Sequence, residues 1–343
     1  MRGIRLALAA FPALAGLASG GCLTMRPYAE VAAALPPASL VAVDGRRVHV
    51  VDRGEGEPLV LLHGFGASTR IWEPVIPELA KTRRVVAIDL NGFGWTERPP
   101  EREAYTLAGQ ERLVLGVADA LGLDRFDLAG HSYGGAISIF LAARHPERVR
   151  SLVLVDSAMP AYGTLRRRKR FANRTLAGLY VRTVGLTARR VRAGLEESYA
   201  DDSKVTNELV GAYLERLRVE GVEDAFYGLT APTGAPPDLV DLGALAPPAL
   251  LVWGAEDELI SVAEGREAAA AIPGATFAAL PSCGEWPQAG SSAKAASRNF
   301  AATSRPAAAE MTSSSPPQTR STGGASAPRS TSSGGVPVGA VKP

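Results

Sequence analysis

The residues best suited to chemistry lie in Phe126–Gly135, which reads FDLAGHSYGG. A short apolar run leads into Gly130-His131-Ser132-Tyr133-Gly134, and Ala136, Ile137, Ile139, Phe140 and Leu141 follow. The pattern predicts a strand, a tight turn and a buried helix, with one serine at the apex. Small flanking residues are what such a strained strand-to-helix turn requires. The turn pushes the hydroxyl into open space at a helix N-terminus, where backbone N–H groups favour negative charge. That is the setting for a serine that attacks a carbonyl carbon. A Gly-rich turn with a surface serine is the plainer alternative, and the flanking strand and helix weigh against it.

The elements needed to position this serine can be read around it. Pro58–Leu62, Arg84–Leu90 and Val149–Asp156 are continuous apolar runs, as are Ala249–Trp253 and Thr276–Leu280. Runs of this kind suit strands buried on both faces of a parallel sheet. Helical spacing over Thr106–Leu123, and helices at Thr69–Lys81 and Val262–Ala271, alternate with them. Two short strands near Leu40–Val43 and Arg47–Asp52 precede the series. Alternation of this kind implies an α/β fold with a doubly wound, mostly parallel sheet. Such sheets carry their chemistry beyond the carboxyl ends of the strands. His63, Asp89, Ser132, Asp156 and Asp257 all fall there.

Several stretches in order resemble the α/β-hydrolase superfamily, in its lidded serine-hydrolase branch. They are His63-Gly64-Phe65-Gly66, Asp89–Thr96 (DLNGFGWT), the serine turn, and Leu251–Asp257 (LVWGAED). The resemblance spans roughly Val41 to Gln288. It implies Ser132 as nucleophile and Asp257 as the acid that orients a base. The backbone N–H groups of Phe65 and Tyr133 would be donors to the oxyanion. His63, Gly64, Gly130, His131 and Gly134 would shape the supporting turns, and Asp156 is a fallback acid of structural character. It further implies that the break in alternation from about 159 to 245 is an inserted helical cap. Val205–Leu217, behind Asp201 and Asp202, reads as one of its amphipathic helices.

The family's base is a histidine in a phrase like cysteine-glycine-histidine-tryptophan-proline. This chain has Cys283-Gly284-Glu285-Trp286-Pro287, and no histidine lies beyond His145. Glu285 occupies the position of the missing base. Two readings account for the gap. One is a protein that keeps the pocket with turnover impaired or lost, in the limit a pseudoenzyme binding a small apolar ligand. The other is a damaged reading of an active gene. Codon degeneracy lets Gly290–Phe300, shifted in frame, specify VERQGGFTQF, which resembles how such hydrolases continue. Glu285 precedes the shift and is untouched by it.

Composition bounds the remainder. The chain has 343 residues, 46% hydrophobic and 21% charged, with 37 basic against 35 acidic residues. That describes an ordinary globular protein with no global charge calling for nucleic acid. His49, His63, His131 and His145, with Cys22 and Cys283, show no metal-ligand spacing, so neither a metal nor a cofactor is expected. The expected partner is a small ester-like substrate.

Arg2 and Arg5, the apolar run Leu6–Ala18 and small residues before Cys22 read as an export signal of lipoprotein type, segment 1–22. This predicts a bacterial cell-envelope location, periplasmic or membrane-anchored. Residues 23–38 read as a linker and 39–288 as the hydrolase domain. Residues 289–343, rich in Ser, Thr, Ala, Gly and Pro, read as a disordered tail. Arg166–Arg170 (RRRKR), with Arg182, Arg189, Arg190 and Arg192 further on, reads as a solvated face; contact with anionic headgroups, through this run and a Cys22 lipid, is the alternative.

Overall fold

The computed structural model describes residues 24–159, 173–199, 201–230, 240–257 and 259–281. The expected signal segment with Cys22, the RRRKR run, Cys283, Glu285 and the low-complexity tail lie outside the described residues. Eight strands form one sheet in the order β1-β2-β4-β3-β5-β6-β7-β8. They are β1 (Leu40–Val43), β2 (Arg46–Arg53), β3 (Pro58–Leu62), β4 (Arg84–Ile88), β5 (Phe126–His131), β6 (Val149–Val155), β7 (Ala249–Gly254) and β8 (Thr276–Leu280). β2 pairs antiparallel with both β1 and β4, and every later pairing is parallel. The strand order steps outward in both directions from β3 and β5, so the loops after these strands meet at one crevice.

Burial explains the strand sequences. Every residue of β5 and β7 is buried, and so are all but the first of β3 and β4. One face of the sheet packs on α3 (Leu107–Ala120) and α4 (Tyr133–Arg144) through Val114, Val117, Ile137 and Leu141. The other face carries Leu59, Leu61, Val85 and Val153 against Trp72 and Ile76. Thr106 caps α3 by accepting the Gly109 N–H, and Ser261 with Glu264 forms a capping box on α9 (Val262–Ala271).

Three elements depart from the sequence expectations. The expected linker 23–38 contains α1 (Tyr28–Ala34), whose Tyr28, Val31 and Ala32 pack on Trp95 and Val219. Tyr28, Val31 and Ala32 have the i, i+3, i+4 spacing of a helix face, and Pro36-Pro37 lie beyond its end. The expected helix Thr69–Lys81 is a 3₁₀ turn, Thr69–Trp72, followed by the single turn α2 (Ile76–Leu79). Pro74 and Pro77 each remove a donor, and so no longer helix forms. The third departure is at the amphipathic helix α7 (Asn207–Leu217), which is capped by Thr206. Asp201 and Asp202 belong to a separate 3₁₀ turn that ends at Lys204.

Between β6 and β7 the alternation gives way to α5 (Arg174–Tyr180), a π-helical continuation Val181–Gly185, α6 (Ala188–Glu196), α7 and α8 (Val222–Thr230). α6 packs on α7 through Leu195, Val210 and Leu214. Val222, near the start of α8, packs on Val181 and Leu186. A short parallel bridge, Arg26 to Val219, ties this insertion to the N-terminal segment.

Candidate active site

Ser132 follows the last residue of β5 and is the N-cap of α4. Its backbone sits at φ +50°, ψ −115°, a region that costs a non-glycine residue about 1–3 kcal/mol. Four hydrogen bonds hold the strained turn. The Ser132 N–H donates to Val155 O at 3.0 Å, and the Ser132 carbonyl accepts the N–H groups of Gly135, Ala136 and Ala158. The glycines are required by close approach. A Cβ on Gly134 would stand 2.5 Å from the Leu62 carbonyl oxygen. One on Gly64 would stand 2.8 Å from His131 Nδ1 and 3.2 Å from Ser132 Cβ. The backbone after β3 is therefore drawn against the serine turn. Ser132 itself is partly exposed.

Phe65 and Tyr133 flank this approach. Phe65 meets Phe93 edge-on at 5.2 Å and Tyr133 at 6.3 Å. The Tyr133 amide opens α4, among the N–H groups that a helix leaves without an intrahelical acceptor.

His63 and Asp89 lock the two loops behind the crevice. The Nδ1–H of His63 donates to Gly64 O at 2.7 Å, and its Nε2 accepts the Leu90 N–H at 3.0 Å. Only the neutral imidazole satisfies both bonds. Burial lowers its pKa, against the raising influence of Asp89 and the Gly64 carbonyl. Asp89 is buried too, and burial alone would raise its pKa. The hydrogen bond and charge of His49, with a smaller electrostatic contribution from the His63 ring and the Thr69 N–H, outweigh burial and bring it to about 2. Its carboxylate accepts the N–H groups of Thr69 and Trp95 and meets His49 Nδ1 at 2.8 Å.

A pH dependence follows from His63. Its folded pKa lies below the ordinary 6.5, so the neutral ring's contribution is complete above that value and is lost as pH falls. Stability is expected to fall with pH through this proton from 6.5 down to the folded pKa and no further. Urea midpoints of the protein and of His63→Gln should converge between pH 8 and pH 5.5. Parallel pH profiles for the two would contradict this.

The acids lie at adjacent strand ends. Asp156, after β6, has φ +42° and accepts the Gly254 N–H at 2.7 Å, which joins the ends of β6 and β7. Asp257, three residues beyond β7, is buried, and its Oδ1 accepts the N–H groups of Leu259 and Ile260 at 2.8 and 2.9 Å. His145 is at the far end of α4, where Nε2 lies 3.1 Å from Glu111. A 12-residue helix separates it from Ser132 by about 18 Å. Of the four histidines, only His131 borders the cavity described next.

That cavity, of about 380 Å³, lies between the crevice and the inserted helices. Phe65, Ile71 and His131 line its sheet side. Val191 and Leu195 of α6 and Tyr213 and Leu217 of α7 line the other. Tyr199 completes the wall; burial, opposed by the charge of Arg70, pushes its phenol up to about 12, so it stays a neutral donor. Arg190, exposed to solvent, lines the cavity as well. The volume suits a small, largely apolar molecule. Sequence reading did not identify the insertion's lining residues. The apolar stripe of α7 was legible, but which of its members pack on α6 and which face a space was not.

Residues 57–290 match the family model described as the alpha/beta hydrolase fold, more than half of the chain. The chain belongs to the α/β-hydrolase superfamily. A 2-hydroxymuconate semialdehyde hydrolase of Pseudomonas sp. (strain CF600) is 32% identical over 270 residues, covering 71% of this chain and 86% of that protein. Among solved structures, a meta-cleavage product hydrolase from Pseudomonas fluorescens IP01 superposes with TM-score 0.64 at 26% identity, over 77% of this chain and 97% of the other. An enol-lactonase from Burkholderia xenovorans LB400 superposes with TM-score 0.62 at 25% identity, over 77% and 98%. The sequence expectations of an α/β-hydrolase fold and a doubly wound, mostly parallel sheet with inserted helices therefore hold.

Proposed function

We propose that this α/β-hydrolase is a serine hydrolase of ester or related carbonyl substrates, with turnover impaired by the replacement of its base. Ser132 Oγ attacks the carbonyl carbon. The Phe65 and Tyr133 amides stabilise the negative charge that develops on oxygen, and Asp257 is the acid that would orient a base. The observation that carries this reading is the positive-φ turn of Ser132, drawn against Gly64 at the N-terminus of α4. The relatives' names, a semialdehyde hydrolase, a meta-cleavage product hydrolase and an enol-lactonase, support a carbonyl substrate. The inserted helices act as a cap whose apolar wall selects a molecule of moderate size. The N-terminal sequence supports export and retention at the cell envelope.

Without a histidine at the base position, proton removal from Ser132 falls to a carboxylate or water, both poorer acceptors in this setting. A fluorophosphonate probe tests the site directly. Slow covalent labelling of the purified protein, mapped by mass to Ser132 and absent from Ser132→Ala, is expected. Labelling elsewhere, or none over hours, would reject a reactive serine. In that event the apolar lining of the cavity favours the second reading, a binding protein for a small apolar ligand. Saturable displacement of a fluorescent fatty acid by such ligands would support it.

A further inference from the structure

We propose that the outer face of α5 and its π-helical continuation docks on an anionic lipid bilayer. Among the described residues, the exposed large apolar side chains are Leu176 (50% exposed), Leu179 (59%), Val184 (47%) and Leu259. Three of these four fall in one short segment. Leu176 and Leu179 stand one turn apart on α5, while Ala177 and Val181 on the opposite side are buried. Val181 packs with Leu186 and Val222. Arg174 and Arg182 form ion pairs with Asp224 and Glu223 of α8, which fix the segment with its leucines outward.

Charge selects the occupant. Arg189 and Arg190, in the first turn of α6, are exposed and enter no salt bridge among the described residues. A second copy docked through a twofold axis would bring these arginines, a few residues beyond Val184, towards their own copies. A neutral apolar partner would use the leucines and leave the arginines idle. A bilayer with anionic headgroups uses both, with apolar side chains in the acyl boundary and guanidinium groups at the phosphates. Because Arg190 also lines the cavity, docking would bring one of its lining residues to the lipid surface. This inference does not depend on turnover at Ser132.

The N-terminal apolar run could tether the full chain to any vesicle, so the readout must be local. A nitrobenzoxadiazole probe on Leu179→Cys, in a full chain carrying Cys22→Ser and Cys283→Ser, reports the polarity at that face. The same probe on Arg125→Cys reports an exposed position at the opposite end of the sheet. Mixed phosphatidylcholine–phosphatidylglycerol vesicles are expected to raise emission at 179 about twofold or more, with a blue shift, and to leave 125 unchanged. Pure phosphatidylcholine, high salt or Arg189→Glu should each remove most of the change. No change at 179, or an equal change with neutral vesicles or at 125, overturns the proposal. A shift at 179 that grows with protein concentration in the absence of lipid overturns it as well, and assigns the face to a second copy.

Discussion

Glu285→His is expected to raise hydrolysis of p-nitrophenyl butyrate at least about tenfold, and adding Ser132→Ala is expected to erase the gain. A serine hydroxyl needs a proton acceptor as its oxygen bonds to the carbonyl carbon, and a positioned general base contributes roughly 10²–10⁴-fold. In the family phrase that Cys283–Pro287 resembles, that base is a histidine. In the arrangement that the resemblance implies, a carboxylate at the base position would face the acid at 257; neighbouring carboxylates resist ionising together, and an ionised one draws the hydroxyl proton weakly. Loss of the base from a serine triad costs on the order of 10⁶ in turnover, while donors and binding retain about 10³–10⁴ over water. The strained turn stands at α4's N-terminus, and its neighbours Phe65 and His131 line the cavity. An unchanged rate in a folded Glu285→His protein would mean that this loop does not reach the serine. Intact mass of the native protein separates that outcome from a shifted reading frame after Gln288.

The serine turn was legible because its sequence is over-determined. Gly130, Gly134 and Gly64 all lie where a Cβ would strike a neighbour, and an apolar strand and helix flank them. β8 and α9 were legible to the residue, since apolar runs bounded by Gly, Pro and a Ser–Glu capping box leave little freedom at their ends. α1 was not. Its seven residues become a helix only because Trp95 and Val219, distant in sequence, cover Tyr28 and Val31. The cavity was illegible for the same reason. Tyr213 reads as one more apolar position of the Val205–Leu217 helix until α6 and α7 are set above Phe65 and His131. The role of His63 required both ring nitrogens to be seen with their partners.

The second large effect concerns stability at the other end of β5. Asp127→Ala is expected to lower unfolding free energy by about 3–5 kcal/mol, without abolishing fluorophosphonate reactivity of the folded protein. Asp127 is only 2% exposed, and its carboxylate is shared. Arg83 pairs with Oδ2, while Arg150 Nε at 3.2 Å and Ser151 Oγ at 2.7 Å donate to Oδ1. Removing the acid leaves the buried Arg83 guanidinium without its counter-charge, and desolvated charge is what makes breaking such a pair costly. Arg150 retains Glu57 at the surface, so most of the cost falls on Arg83. That loss is a large fraction of the 5–15 kcal/mol typical of a domain. Ser132 is five residues further along the strand, roughly 16 Å away, and none of its turn's hydrogen bonds involves Asp127. Urea denaturation of Asp127→Ala against the unaltered chain measures the cost, and Asp127→Asn isolates the charge by keeping a Ser151 acceptor. A loss under about 1 kcal/mol would show that solvent reaches Arg83 and that the pair contributes no more than a surface salt bridge.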